Sequence, residues 1–167
     1  MPVVPVRDLV IQPREQDLVV GTHGRGLWLT DIGVLHEMTE EVLAKPAHLF
    51  AVAPRGWRVE SGWGNYRLFG DDILATPNEP NGITIDYWLN TAAPPATVRI
   101  ADAAGNLVRA LRGPEGQGLL QLLWNLRDER NQLVEPGNYT VTLEAAGQTL
   151  TQRVTVKEPV VLPRPRG

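Results

Sequence analysis

Several residue classes are absent or scarce in this chain of 167 residues, and each absence narrows the range of functions. There is no cysteine, which excludes disulfides, thiolate metal sites and cysteine nucleophiles, and which leaves the redox compartment unassigned. No stretch concentrates Lys or Arg, and the formal net charge is -3. The basic patch that a nucleic-acid-binding protein needs is therefore missing, and we expect no nucleic-acid partner.

Long hydrophobic runs are also lacking. One of the longest, 119–126, is interrupted by Gln121 and Asn125 and is far shorter than the roughly 20 apolar residues that span a bilayer. The N-terminal residues 1–7 show neither the basic nor the apolar region of a signal peptide. We expect no membrane span, and if the chain is exported we expect its signal to lie elsewhere.

Residue patterns for catalysis, metals and cofactors are equally scarce. His36 and His48 lack the spacing of metal ligands, and Ser61 lacks the Gly-x-Ser-x-Gly elbow of a hydrolase. Neighbouring carboxylates could in principle cleave glycosides, but adjacent residues on a strand point to opposite faces. We expect no catalytic residue, no metal and no cofactor in this chain. The carboxylate pairs are Glu40 and Glu41, Asp71 and Asp72, and Asp128 and Glu129.

The residues that are present alternate in the manner of β-strands. Short apolar stretches separated by turns predict antiparallel strands within residues 1–32, a sheet too small to be stable alone. Residues 33–81 predict one short helix and a linker that contains aromatic residues. Residues 82–158 show about six strands with a turn signal at each gap, typical of a β-sandwich with Trp124 and Tyr139 in its core. Residues 159–167 form a Pro-rich tail, which we expect to be disordered.

Two groups of residues are candidates for binding. His23 and Arg25 lie in a Gly-rich turn and could face a ligand, or could be polar groups of a tight turn, the interpretation we favour. The aromatic residues could stack on a sugar ring, or could plug the junction between packed units, which is the commoner role. These aromatic candidates are Trp57, Trp63, Tyr66 and Trp88.

The N-terminal residues resemble a known family. Residues 5–13 and 17–31, with Gly-Thr-His-Gly-Arg-Gly at 21–26, resemble the closing segment of bacterial sortilin-type propellers, often labelled glycosyl hydrolases with Asp-box repeats. In that family the segment ends the last blade, a helix leaves the propeller, and a β-sandwich follows. No Asp box occurs in this sequence, so any glycosidase label would be inherited from a propeller whose carboxylates are not among these residues.

Residues 96–158 resemble the immunoglobulin-like module of flagellar-hook-capping and secretion-associated proteins. The resemblance rests on an Asp-x-x-Gly turn at 102–105, Val-Arg-x-Leu at 108–111, Leu-Trp-Asn at 123–125 and Pro-Gly-x-Tyr at 136–139. Together the two resemblances imply a mainly β chain with terminal propeller-blade strands, a short helix and linker, and an immunoglobulin-like β-sandwich.

These resemblances imply a non-catalytic structural or interaction module at the C-terminus of a larger, extracytoplasmic or secreted propeller protein. Its partner would be the rest of the propeller or another protein chain, with a glycan as a further possibility. The alternatives are a carbohydrate-binding module, or a fragment of a glycoside hydrolase whose catalytic residues lie in the missing propeller. Exposure of Trp57, Trp63 or Trp88 would favour the carbohydrate-binding alternative.

Overall fold

The computed structural model describes residues 3–14, 16–59 and 81–161 of the chain. The chain divides into two compact units, Met1–Lys45 and Pro46–Gly167, which are taken in turn. Within the described residues, no helix is long and apolar enough to cross a membrane.

The first unit is a three-stranded antiparallel sheet followed by two short helices. Its strands are β1 (Val6–Gln12), β2 (Asp17–Thr22) and β3 (Leu27–Asp31), in the order β1-β2-β3. The helices are α1 (Gly33–Glu37) and α2 (Glu40–Ala44), where the sequence predicts a single helix. The helical segment is divided because Thr39 is extended and its hydroxyl accepts a hydrogen bond from the Val42 N–H at 3.3 Å, which starts a new helix.

The second unit is a sandwich of two sheets. The larger has the strand order β5-β11-β10-β7-β8 and the smaller has the order β4-β6-β9. The strands are β4 (Ala47–Leu49), β5 (Arg55–Val59), β6 (Ile83–Ala93), β7 (Thr97–Ala101), β8 (Leu107–Arg112), β9 (Gly116–Trp124), β10 (Gly137–Ala145) and β11 (Gln148–Val161).

The sandwich core forms from the inward face of each sheet. On β6 every second residue from Ile83 to Leu89 is buried, and the opposing sheet buries alternate residues of β7 and β10 in the same way. Trp124 is fully buried, and its ring meets the ring of Tyr139 edge to face at 5.4 Å between centroids. The Tyr139 hydroxyl donates to the Glu135 carbonyl oxygen at 2.7 Å, the arrangement called a tyrosine corner in immunoglobulin-like domains. The predicted mainly β fold with an immunoglobulin-like sandwich is confirmed.

The sequence predicts a sandwich over residues 82–158. In the structure the sandwich also contains residues before 82 and after 158. Strands β4 and β5 come from the segment predicted to be helix and linker. Strand β11 continues to Val161, into the predicted tail, because Val160 and Val161 pair in parallel with Arg58 and Val59. Residues 162–167 lie outside the described residues.

Candidate interaction surfaces

The sheet of the first unit carries apolar side chains on both faces. Cross-strand pairing puts Leu9, Val20 and Trp28 in one row, and Val10, Val19 and Leu29 in the adjacent row. Because neighbouring rows of an antiparallel sheet point to opposite sides, these two rows lie on different faces. Leu9 is 58% exposed on the first face, and Leu29 is 66% exposed on the second. Neither face is therefore the polar, solvent-facing side that a surface sheet usually presents.

The turn that joins β2 to β3 holds His23 and Arg25. It is closed by the Thr22 hydroxyl, which donates to the Gly26 carbonyl oxygen at 2.7 Å, and by the Trp28 indole N–H, which donates to the Arg25 carbonyl oxygen at 3.2 Å. Both side chains are exposed, and the backbone between them turns through Gly24 at a φ of 77°, a conformation that glycine adopts readily. The structure thus brings His23 and Arg25 together at an exposed turn, with the turn itself held by their neighbours.

Trp57 lies on β5, where it packs against the sandwich core and is half-buried. The guanidinium carbon of Arg127 sits 5.3 Å from the centroid of its ring, a cation–π contact. Arg127 therefore lies over one face of the Trp57 ring. These contacts favour a packing role for Trp57.

Trp88 lies on the outer face of the smaller sheet and is also half-buried. It pairs across the sheet with His48 of β4 and Leu119 of β9. In the adjoining row on that face the Gln121 amide donates to the Asp86 carboxylate at 3.0 Å. Trp88 is thus the described aromatic candidate that lies on an outward sheet face with hydrogen-bonding groups beside it. The other two aromatic candidates, Trp63 and Tyr66, lie outside the described residues.

The carboxylates of the sandwich loops serve to shape those loops. Asp102 accepts hydrogen bonds from the Asn106 side chain at 3.0 Å and from two backbone N–H groups, and the Asn106 side-chain bond is the main reason that the pKa of Asp102 lies below its ordinary value. Asp128 accepts from the N–H groups of Arg130 and Gln132. No cluster of three or more His, Asp or Glu that could hold a metal occurs among the described residues.

Sequence reasoning missed a role for Glu129 at the edge of the larger sheet. The Glu129 N–H donates to the Val108 carbonyl oxygen at 3.0 Å, and the Glu129 carboxylate accepts from the Ala110 N–H at 2.7 Å. Arg109 also donates to the Asp128 carbonyl oxygen at 2.6 Å. The loop after β9 therefore covers the edge of β8. The polar run at 127–131 signals only a turn, because the strand that it covers is distant in sequence.

Comparison with family models finds a match for part of the chain. Residues 74–149 match the family model of the FlgD Ig-like domain. No curated protein matches the chain in a sequence search. The immunoglobulin-like resemblance of the sandwich is therefore confirmed, whereas the propeller resemblance of the N-terminal residues stays a prediction.

One solved structure similar to this chain is PorZ, described as an essential bacterial surface component of the type-IX secretion system of Porphyromonas gingivalis. The match has a TM-score of 0.37 and 19% sequence identity. It covers 90% of this chain and 16% of PorZ, so the chain spans only a small part of the length of that protein.

Proposed function

We propose that the first unit supplies strands to a blade of a β-propeller, and that the sandwich is a non-catalytic structural or interaction module attached to it. The observation that carries the proposal is the sheet with apolar side chains on both faces, with Leu9 58% exposed on one and Leu29 66% exposed on the other. A sheet that packs on a single neighbour needs only one apolar face.

A propeller blade provides a physical reason for two apolar faces. Blades are arranged radially around a central channel, so each blade packs against a neighbour on both sides. A typical blade has four strands, and this sheet has three, with β1 and β3 at its edges. Two neighbouring blades would cover the two apolar faces, and a fourth strand would pair with one of the open edges.

The proposal is tested by comparing the 167-residue chain with a longer product of the same coding region. The upstream DNA is sequenced first, and we expect in-frame propeller blades with Asp boxes.

In the 167-residue chain, the double substitution L27K/L29K should lower the binding of a hydrophobic dye such as ANS, because Leu27 and Leu29 are 71% and 66% exposed. In the longer product the same substitution should lower stability, because the blades would bury those leucines.

The control for this test is L107K/L133K, which changes two exposed leucines of the sandwich, 58% and 44% exposed. It should have the same small effect on stability in both products. The proposal is wrong if no blades are encoded upstream, or if L27K/L29K has the same effect on stability in the longer product as in the shorter one.

The proposal extends to location. The resemblance of residues 5–31 to extracytoplasmic propeller proteins supports an extracytoplasmic or secreted protein. We expect a signal peptide at the start of the longer product, and we expect cell fractionation to recover it outside the cytoplasm. Recovery of the full product in the cytoplasm would contradict this part of the proposal.

Carbohydrate binding is a second candidate function, favoured by the position of Trp88. Its ring lies on an outward sheet face beside the hydrogen-bonded Asp86 and Gln121, so an aromatic surface and polar groups lie side by side. The substitution Trp88→Ala should then abolish binding on a glycan array, while Trp57→Ala should lower stability without selective loss of glycan binding. If the unchanged protein binds no glycan on the array, this candidate is excluded for the glycans presented.

A further inference from the structure

The two edges of the larger sheet are covered by polar groups of the same unit. At β8, Glu129 and Asp128 satisfy backbone and side-chain groups of the edge strand, as described above. At β5, the Asn81 side chain accepts from the Arg58 N–H at 2.9 Å and donates to the Arg58 carbonyl oxygen at 2.7 Å. Such coverage removes backbone donors and acceptors that would otherwise pair with another strand.

One edge of the smaller sheet is a long strand, β9, that pairs on one side only among the described residues. Strand β9 stands at the end of the order β4-β6-β9, and among the described residues it pairs with β6 alone. It has nine residues, whereas β4 at the opposite edge has three. Its sequence, GQGLLQLLW, contains no charged residue and no proline. Strand β9 therefore lacks two features by which natural proteins keep edge strands from pairing with other chains, charged side chains and proline. The register shift in its pairing with β6 lies between Gly116 and Gly118, outside the regular stretch 119–124.

We propose that β9 pairs with β9 of a second copy of this chain, antiparallel and about a twofold axis through Gln121. In this register Gln121 faces Gln121, Leu120 faces Leu122, and Leu119 faces Leu123 of the second copy. Leu119 and Leu123 lie on the same outer face and are 43% and 40% exposed. The pairing sets apolar side chains opposite each other and opposes no like charges.

A second copy fits this edge better than a charged partner strand does. The edge carries no charge for such a strand to recognise, and its Leu-x-Gln-x-Leu pattern at 119–123 is symmetric about its centre. A twofold interface requires a surface that is complementary to itself, and this pattern meets that requirement. The product is a continuous six-stranded sheet in which two open edges are replaced by one central pairing.

The absence of cysteine makes the register directly testable in the full chain. The variants Q121C and Q117C place a single cysteine at exposed glutamines of the same strand. In the proposed register the two copies of position 121 lie about 5 Å apart between Cβ atoms. The two copies of position 117 lie roughly 27 Å apart, eight residues along the strand. We expect mild oxidation or a short bis-maleimide linker to convert Q121C into a covalent dimer at least tenfold faster than Q117C.

Charge substitutions provide the second readout. In the Q121C background, L119K/L123K puts Lys opposite Lys twice and should abolish the cross-link, whereas L119E/L123K puts Glu opposite Lys twice and should restore it. Both variants carry two charges at the same exposed positions, so an effect on folding would appear in both. Equal cross-linking of Q121C and Q117C, or no difference between the two charge variants, would overturn the proposal.

This inference is independent of the propeller proposal. The variant L27K/L29K, which alters the first unit, should leave the Q121C cross-link unchanged. If the chain associates only through its N-terminal sheet, L27K/L29K would abolish association and Q121C would not cross-link. That result would overturn pairing through β9 and leave the propeller proposal standing.

Discussion

At the scale of single residues, two tyrosines among the described residues of the sandwich differ in one hydrogen bond. Tyr87 and Tyr139 are both buried. The Tyr139 hydroxyl donates to the Glu135 carbonyl oxygen, whereas the Tyr87 hydroxyl is buried with no hydrogen-bond partner among the described residues. A satisfied hydroxyl stabilises the fold modestly, but an unsatisfied buried hydroxyl carries a desolvation cost. The same chemical group should therefore contribute with opposite sign at the two positions.

This difference predicts the effects of removing each hydroxyl. Tyr139→Phe should lower the free energy of unfolding by about 1 kcal/mol, because it deletes the bond to Glu135. Tyr87→Phe should leave the free energy of unfolding unchanged or raise it by up to about 1 kcal/mol. Urea unfolding followed by tryptophan fluorescence measures both. A loss of stability in Tyr87→Phe as large as that in Tyr139→Phe would show that the Tyr87 hydroxyl has a bonding partner.

The same tyrosines predict a loss of stability in alkali. Burial raises the pKa of Tyr87 above its ordinary value of 10.0, and burial, with the negative charges of Asp102 and Glu135, raises the pKa of Tyr139. The folded state then holds the phenol protons more tightly than the unfolded state. Their contribution to stability is complete below pH 10 and is lost as the pH rises through the folded pKa.

The free energy of unfolding should therefore decline with increasing pH above about pH 10. The decline should be shallower in Tyr87→Phe, which has lost one of the two groups. Unfolding curves at a series of alkaline pH values provide the measurement. Identical slopes for the variant and the unchanged protein would show that Tyr87 does not contribute to this pH dependence.

At the scale of elements, polar side chains satisfy backbone groups of the edge strands of the larger sheet. Asn81 pairs with both backbone groups of Arg58 and so acts as a short substitute for another strand beside β5. Asn81→Ala should open this edge and speed hydrogen exchange of the Arg58 N–H by at least tenfold. The control is Asn138→Ala, which removes an exposed side-chain bond from Thr155 and leaves the strand ladder intact. Equal exchange of the Arg58 N–H in both variants would contradict this role for Asn81.

Elements that are determined by neighbouring residues were predicted from the sequence. The strand pattern from residue 82 onward was predicted, and on β6 the alternate residues Ile83, Ile85, Tyr87 and Leu89 are all buried. The turn at 102–106 was predicted from its Gly, and Gly105 adopts a φ of 85° there. Such signals need only neighbouring residues, because the pleat and the turn are set by the local chain.

Elements that depend on distant partners could not be predicted. Strand β5 shows no alternation, and it exists as a strand through its parallel pairing with β11, about a hundred residues further along the chain. The same limit applies to the candidate site residues. Trp57 was predicted as either a sugar platform or a plug between packed units. Its cation–π contact favours a packing role, and that contact comes from Arg127, which no local pattern connects to Trp57.

At the scale of the whole molecule, the boundary between the two units follows Lys45. The sequence predicts that the sandwich begins at residue 82, because the clear alternation begins there. The structure places Ala47, Leu49 and Trp57 against the core of the sandwich, and the first two are almost fully buried. Residues before the alternating region thus contribute to the core. They also form β4 and β5, which pair with β6 and β11, strands that would otherwise stand at sheet edges.

This arrangement predicts different behaviour for two fragments. The fragment 46–167 keeps the eight strands β4 to β11 that the described residues form, so we expect one cooperative unfolding transition in urea. The fragment 82–158 lacks β4 and β5, which exposes the edges of β6 and β11 and removes buried Leu49 from the core. Removing one buried leucine side chain alone costs about 2–5 kcal/mol, a large part of the stability of a small domain. We therefore expect 82–158 to show no cooperative transition, as measured by urea unfolding and by the dispersion of its amide resonances. If 82–158 unfolds as cooperatively as 46–167, the strands β4 and β5 are dispensable additions to a sandwich that begins at residue 82.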